Sequence, residues 1–454
     1  MIQRAKFAPA RGRHFLTLPA GASWTVFFVA LLLRIVYVLG STGPQPRPFS
    51  ESVDVDQIAW NLARGAGFSL GEGGSVHPTA LWPPVVPWLT SLLYRVIGRH
   101  YFGALMLQCV FGALVAVLLV ALGSVMFGGG VGRLAGWLAA VHPMLVFFSG
   151  YLLTETTFCV TLLAALIASV TWVRTPRPGR ALGAGMLWGL ATLTRPPAML
   201  VPAVIALWAW RPLGLSVKPG DRVRQLAMLA LGVALVVGPW TIRNAMVFHA
   251  FIPVTTSGGN ALLEGNNELV WNDPLRRGGA FDAHGTEPYA SAFRDRGEAE
   301  SDAIAARLAL DFLKSHAREW PAMALAKLTR FWRLPAEGGA GGTWQSAGSP
   351  LAKLRHAVDP LLIWSAAFLP LAAWGLARSL RGPRRWFQSA PALLILYFML
   401  NALVFWGSLR MRMPIEPLVA LLAAVGFEDA RRRWRARRIG MGVVGAETAS
   451  RSSA

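Results

Sequence analysis

The stretch WTVFFVALLLRIVYVLG, residues 24–40, contains a single charged side chain, Arg34. At about 1.5 Å of rise per residue such a run nearly crosses a hydrocarbon core of about 30 Å. It follows a basic start, MIQRAKFAPARGRH, as a signal sequence would. No small-residue cleavage site of the A-x-A type follows it, however, and Arg34 interrupts the apolar run. The segment therefore reads as a retained anchor and the first transmembrane helix.

Working outward, the remaining chain has the same character. Of 454 residues 54% are hydrophobic and only 15% charged, with 19 Trp and 23 Phe, and the mean hydropathy is +0.44. This is more apolar surface than a soluble core uses. The apolar runs recur from Trp24 to Phe427 and are continuous rather than alternating, which excludes a barrel and predicts an all-α polytopic membrane protein. The two cysteines, Cys109 and Cys159, both lie in apolar runs, so a disulfide framework is excluded.

The formal charge of +21 is a topology signal. Lys and Arg in short loops resist translocation, and basic clusters recur at Arg4 to Arg13, Arg174 to Arg180, Arg211 to Arg224, Arg378 to Arg385 and in the tail EDARRRWRARR. Placing all of them in the cytoplasm requires an even number of spans. About ten are expected, near 22–41, 103–127, 132–149, 151–173, 181–194, 197–210, 226–245, 357–378, 388–407 and 414–428. Both termini, 1–21 and 429–454, are then cytoplasmic, around one transmembrane domain at 22–428. No basic and aromatic segment lies in a soluble domain where it could track phosphates, so nucleic acid is not a partner. The segment PPVVPWLTSLLYRVIG, Pro83 to Gly98, is apolar but short and begins with two prolines; counted as a span it would reverse every later loop, so it reads as a helix on the outer membrane surface.

With this topology a first outer loop, about 42–102, carries Glu51, Asp54 and Asp56 ahead of IAWNLARG. Acids at a helix start are favoured by its dipole, so they either cap a surface helix or serve chemistry. Other polar residues gather near the same membrane face. Thr154 and Glu155 open the fourth span, where a carboxylate is costly unless paired or functional. Arg195 precedes two helix-breaking prolines, Arg243 ends the seventh span, and Arg410 and Arg412 occupy the last outer loop. Each arginine alone suits an interfacial anchor; four acids and four arginines at one face suit an anionic phosphate substrate and a group that must lose a proton.

The ordered segments IAWNLARGAGF, PPVVPWLTSLLYRVIG, GYLLTE, GLATLTRP, GPWTIRNAMVF followed by AFIPVTTSGGNALLEGNN, and RMRMPIEPLVALLAAVG resemble the family 39, PMT-type, GT-C glycosyltransferases. That group is similar to the lipid A aminoarabinose transferase and the protein O-mannosyltransferases. The resemblance runs from about Arg34 to Gly426. It implies a GT-C bundle with extracytoplasmic juxtamembrane helices in the plasma (inner) membrane. It implies transfer, with inversion, of a sugar from a polyprenyl-phosphate donor to a glycan, lipid or protein acceptor on the outer side. Carried over residue by residue, the family's catalytic Asp falls near Glu51, the following acid near Asp54, and the usual Tyr is replaced by Val55. Asp54, Glu51 and Glu155 are the implied catalytic residues, with Asp54 favoured over Glu51, and Asp56 after both, because Asp54 sits at the helix start where its carboxylate can be held. Arg195 would hold the phosphate leaving group, with Arg243, Arg412 and Asp56 as further substrate-binding residues. Some relatives use a divalent metal; His77 and His142 are isolated and make no ligand cluster.

The long outer segment, about 248–354, combines a Gly- and Asn-rich stretch, TTSGGNALLEGNNELVWNDP, with the helical stretch DAIAARLALDFLKSHAREWPAMALAKLTRFW. The first lacks the strand and Lys of a P-loop and reads as a lid or acceptor surface; the second reads as a membrane-surface helix. A transporter or flippase would show paired inverted repeats and acids at the membrane midplane, and neither is seen. A non-catalytic assembly protein would tolerate neutral residues where the acids and Arg195 stand.

Overall fold

A computed structural model describes residues 20–43, 46–333, 360–381 and 384–451. The basic start at 1–19 and the end of the long segment at 334–354 lie outside the described residues. The chain is almost wholly helical, with one antiparallel pair of short strands, β1 (Ser69–Leu70) and β2 (His77–Pro78), in register Ser69↔Pro78.

Helix α1 (Ala20–Thr42) places Trp24, Phe28, Leu32 and Val36 on an exposed apolar face at four-residue spacing and buries Val26, Ala30, Arg34 and Val38. Next come α2 (Ser52–Ala63) and α3 (Val85–Ile97), then the long α4 (Tyr101–Phe127). At 13 residues α3 is too short to cross a bilayer. Its exposed residues Trp88, Leu92 and Val96 follow a four-residue spacing, while Tyr94 is buried.

The segment expected as one span at 132–149 is broken. Helix α5 (Gly129–Val141) meets the next helical piece, Pro143–Gly150, at 54°. Pro143 removes a donor and pushes the preceding His142 out of the helical region, to φ −62° and ψ 119°. The carbonyls freed at the end of α5 are answered from α1: Arg34 donates to Ala140 O at 3.1 Å and Ala139 O at 3.2 Å, besides Ala30 O at 2.9 Å. The only charge in the first apolar run is thus a cap for a broken helix.

After α6 (Pro143–Phe147) come α7 (Thr154–Arg174), α8 (Pro178–Thr194), α9 (Val201–Ser216) and α10 (Pro219–Phe248). Helices α8 and α10 touch backbone to backbone: a Cβ on Gly185 would stand 2.0 Å from Leu229 O, and one on Gly232 would stand 2.3 Å from Leu182 O. Without a hydrophobic effect between helices in lipid, such small-residue contacts supply the packing.

A non-spanning layer follows. It contains α11 (Gly258–Gly265), α12 (Glu268–Trp271), α13 (Glu298–Ser315) and α14 (Trp320–Trp332). The single helical stretch expected here is two helices, divided at His316–Glu319 where Pro321 opens the second. Glu298 at the start of α13 ties this layer to the first loop by accepting from Thr79 Oγ1 and Ala80 N, both at 2.8 Å.

The chain returns through α15 (Pro360–Ser379), α16 (Arg385–Gln388), α17 (Ala390–Val404), α18 (Leu409–Arg412) and α19 (Glu416–Arg451). The last helix runs on beyond the expected end at 428. Glu428 pairs with Arg431 and Arg432, and Asp429 with Arg433, at helical spacing, which carries the helix into the basic tail.

By length and composition six described helices can cross a membrane, or seven if the bent pair counts as one. Each of the ten expected spans is occupied by a described helix over most of its length, with breaks at His142, Met199–Leu200 and Ser389 and non-helical ends at 151–153 and 405–407. The chain is a polytopic α-helical membrane protein.

Candidate functional site

Glu51 stands at the N-cap position of α2, yet its side chain makes no capping hydrogen bond. Its carboxylate instead forms an ion pair with Arg410, which reaches it from α18. The same guanidinium donates through Nε to Glu155 Oε1. Glu155, in the first turn of α7, is fully buried, and its Oε1 also lies 2.8 Å from an Arg195 terminal nitrogen. Four side chains thus form one chain of contacts, Glu51–Arg410–Glu155–Arg195, drawn from four separate parts of the sequence.

Local structure explains each position. Arg195 closes α8, and Pro196 behind it forces an extended backbone, φ −153° and ψ 117°, that turns the residue out of the helix. Tyr397 of α17 holds that turn by donating to Pro197 O at 2.6 Å. Glu155 sits where the backbone N–H groups at the start of α7 favour an anion. Arg410 follows Ser408, whose hydroxyl caps α18 by accepting from Met411 N at 3.2 Å.

The cluster is incompletely satisfied. Glu155 Oε2 is buried without a hydrogen-bond partner, and Arg195 Nη1 is buried with its ion pair to Glu155 but no hydrogen bond. Burial works against the charge on Arg410, but Glu155 and Glu51 outweigh it and hold its pKa above the ordinary guanidinium value. Two guanidiniums, the planar donors suited to a phosphate or carboxylate, thus converge on the buried Glu155.

The other expected site residues are placed as follows. Asp54, one turn beyond Glu51, accepts from Trp82 Nε1 at 3.1 Å and is half-buried. Asp56 is buried, hydrogen-bonded by Tyr94 and ion-paired with Arg99 at 2.8 Å, so it fastens α2 to α3 and the turn behind it. Arg243 donates to Thr79 O at 2.7 Å and Phe68 O at 2.9 Å, and its guanidinium lies 5.0 Å from the Trp240 ring centre, so it clasps the first loop to α10. Arg412 is buried. It pairs with Glu416, donates to Trp332 O at 3.2 Å and to Ser365 Oγ at 3.1 Å, while Glu416 also meets His142 Nε2 at 2.9 Å. The fold joins Glu51, Glu155 and Arg195 through Arg410; Asp56, Arg243 and Arg412 make other contacts.

One residue outside the expected set also lies at this end. Glu264, on α11, is within electrostatic reach of Glu51 and Arg410, and its side chain makes no hydrogen bond among the described residues. Burial, then Glu51 and Asp282, push its pKa up to about 7 against the pull of Arg410. No signal in the sequence marked it, since the Gly-Asn-Asn that follows is ordinary loop composition. Among the described residues no group of three or more His, Cys, Asp or Glu side chains is placed to hold a metal ion.

The fold is similar to that of solved membrane enzymes of low sequence identity. The archaeal oligosaccharyltransferase of Archaeoglobus fulgidus superposes with a TM-score of 0.56 at 12% identity, over 94% of this chain. The form of that enzyme, AglB, in complex with an inhibitory peptide and a dolichol-phosphate gives 0.57 at 13% identity over 93% of this chain. This chain spans about half the archaeal enzyme, 52% and 51% of its length in the two structures. ArnT of Cupriavidus metallidurans aligns over 90% of this chain and 78% of its own at 15% identity, with a TM-score of 0.38. By sequence, residues 81–242 match the family described as dolichyl-phosphate-mannose-protein mannosyltransferase. The matched stretch holds Glu155 and Arg195 and ends within α10. No curated protein matches the chain significantly by sequence.

Proposed function

We propose that the protein is a membrane glycosyltransferase that moves a sugar from a polyprenyl-phosphate donor to a hydroxyl acceptor, with inversion at the anomeric carbon. The observation that carries this reading is the Glu51–Arg410–Glu155–Arg195 chain at helix ends. The match to the mannosyltransferase family and the dolichol-phosphate held by the archaeal enzyme support a lipid-phosphate donor.

In this reading Arg195 and Arg410 take the two non-bridging oxygens of the donor phosphate. Glu155 stands behind both guanidiniums and fixes their direction. As the anomeric C–O bond to phosphate breaks, the negative charge develops against two preset cations, where electrostatic stabilisation counts most. Glu51 receives the acceptor's proton as the new C–O bond forms, and Asp54, on the same face of α2, is the second candidate for that role. Glu51 is preferred because it belongs to the arginine chain, whereas Asp54 is held by Trp82. The acceptor is a glycan, lipid or protein, and the reaction takes place on the extracytoplasmic side of a plasma membrane. A divalent metal is not assigned a role.

The test is transfer from a synthetic polyprenyl-phosphate sugar by the full-length protein in vesicles, together with the lipid-linked sugars and envelope glycans of cells lacking the gene. A sugar missing from one glycan while its lipid-linked donor accumulates supports the reading. Unchanged glycans and no transfer from any polyprenyl-phosphate sugar refute it.

A further inference from the structure

Lys327, on α14, is 3% exposed, and among the described residues no carboxylate accompanies it. A buried ammonium without a counter-ion is costly, and a Leu or Met would fill the same place at no such cost. Its three donors are all directed at neutral oxygens: Asn266 Oδ1 at 2.7 Å, Leu403 O at 3.1 Å and Val404 O at 3.3 Å. Leu403 and Val404 end α17, where the last carbonyls have no partner within the helix and their dipoles favour a cation. Asn266, buried at the end of α11, donates to Val404 O at 3.0 Å as well. A side chain from a distant helix thus serves as the C-terminal cap of α17.

The same junction is closed backbone to backbone. A Cβ on Gly407 would stand 1.8 Å from Lys327 O, one on Gly265 2.0 Å from Phe405 O, and one on Gly278 2.5 Å from the Ala326 carbonyl carbon. Gly407 N donates to Gly278 O at 2.9 Å. Beyond the loop, Arg412 donates at 3.2 Å to the carbonyl of Trp332, the last residue of α14. Helix α14 therefore holds the last outer loop at two points, Leu403–Val404 through Lys327 and Arg412 through Trp332. The two points lie about 7.5 Å apart along one rigid helix. Arg410 falls between them in sequence, its guanidinium paired with Glu51 and Glu155.

We propose that Lys327 is a positioning residue of the transfer site, acting through Arg410: its grip on the end of α17 makes α14 a brace for the loop that carries that arginine. The role in turnover rests on the sugar-transfer reading; the brace itself does not. Arg410 belongs to α18, a helix of 4 residues that follows a non-helical connection at 405–408. A single turn has too little internal hydrogen bonding to keep its own direction. Held at both flanks, the guanidinium meets the donor phosphate already aimed, and a preset cation is what stabilises an anion as it develops. Without Lys327 the carbonyls of Leu403 and Val404 lose their cap, and α14 holds the loop at Arg412 alone.

Two measurements on the full-length protein in detergent test this. Backbone hydrogen exchange needs no activity. Lys327→Met keeps the volume and removes the charge; it is expected to speed exchange in peptides covering 405–412 about tenfold or more, while peptides from α4 and α7 keep wild-type rates. Gly407→Ala, which drives a Cβ against Lys327 O and leaves the ammonium in place, is expected to do the same. Wild-type loop rates in either variant, or rates that rise in parallel along the whole chain, overturn the brace. The second measurement is single-turnover transfer from a polyprenyl-phosphate sugar. Lys327→Met is expected to lower the rate about tenfold in the wild-type background, and no more than about twofold in an Arg410→Ala background, where the group it positions is gone. Equal losses in the two backgrounds overturn the positioning role. Absence of transfer by the wild type from any polyprenyl-phosphate sugar counts against the sugar-transfer reading, and hydrogen exchange then decides the brace by itself.

Discussion

Glu155 and Arg195 stand far apart in the sequence and on different helices, and the fold brings them to 2.8 Å with the carboxylate fully buried. Neither could keep its charge there alone, because an isolated ion in a low-dielectric interior costs several kcal/mol. The pair is therefore a unit, extended by Arg410 to the half-exposed Glu51.

Arg195 reports on the phosphate. Arg195→Ala is expected to lower transfer about 10²- to 10³-fold, the range for losing one preset donor to a developing anion. Arg195→Lys recovers part of this, since a point charge keeps the attraction but not the planar geometry. Steady-state kinetics with a polyprenyl-phosphate sugar measures both; equal, near-normal rates leave Arg195 as a partner of Glu155 only.

The acids separate by role. Glu51→Gln removes a base and is expected to cost about 10²- to 10⁴-fold in turnover with the fold intact. Asp54→Asn is expected to be milder. Asp56→Asn weakens the grip on Arg99 and Tyr94, so it lowers the melting temperature in detergent more than it lowers the rate of the folded fraction. A stable Asp56→Asn protein with no activity would instead move the chemistry to Asp56.

Stability follows Glu264 with a defined sign. Its pKa is about 7 in the folded chain and near the ordinary glutamate value when unfolded. Between those values the folded state binds more protons, so this group's contribution is present at low pH and is lost as pH rises through 7. Glu264→Gln, fixed in the neutral form, is expected to flatten that part of the melting-temperature profile between about pH 5 and pH 7. A wild type and variant with parallel profiles would contradict it.

Topology is tested by labelling. Cys109 and Cys159 are buried and should stay silent, so a cysteine placed at position 70 or at 435 reports its own side. Labelling from outside at 70 and not at 435 is expected, because the basic clusters resist translocation. The reverse pattern would place the Glu51 loop in the cytoplasm.

The sequence by itself determined the class. Continuous apolar runs between basic clusters leave only a helical polytopic protein, because every backbone group inside lipid must find its partner within its own helix. It also supplied Asp54, Glu51, Glu155 and Arg195 as candidates, since a charge inside or beside an apolar run must be paired or used. Tertiary structure decided which charges meet. Arg410 and Arg412 are two residues apart, and no local pattern says that the first turns to Glu155 while the second turns to Glu416; that depends on which neighbouring helix presents a carboxylate. Arg34 looked like an interruption of a membrane anchor and is the cap of a helix broken at Pro143, a contact spanning more than a hundred residues. Glu264 was unmarked because nothing in a Gly- and Asn-rich stretch reveals that Gly265, Asn266 and a buried lysine will fasten it beside the last loop. Helix periodicity is local and can be read along the chain, whereas the pairing of buried charges is set by packing between distant helices and exists only once they are assembled.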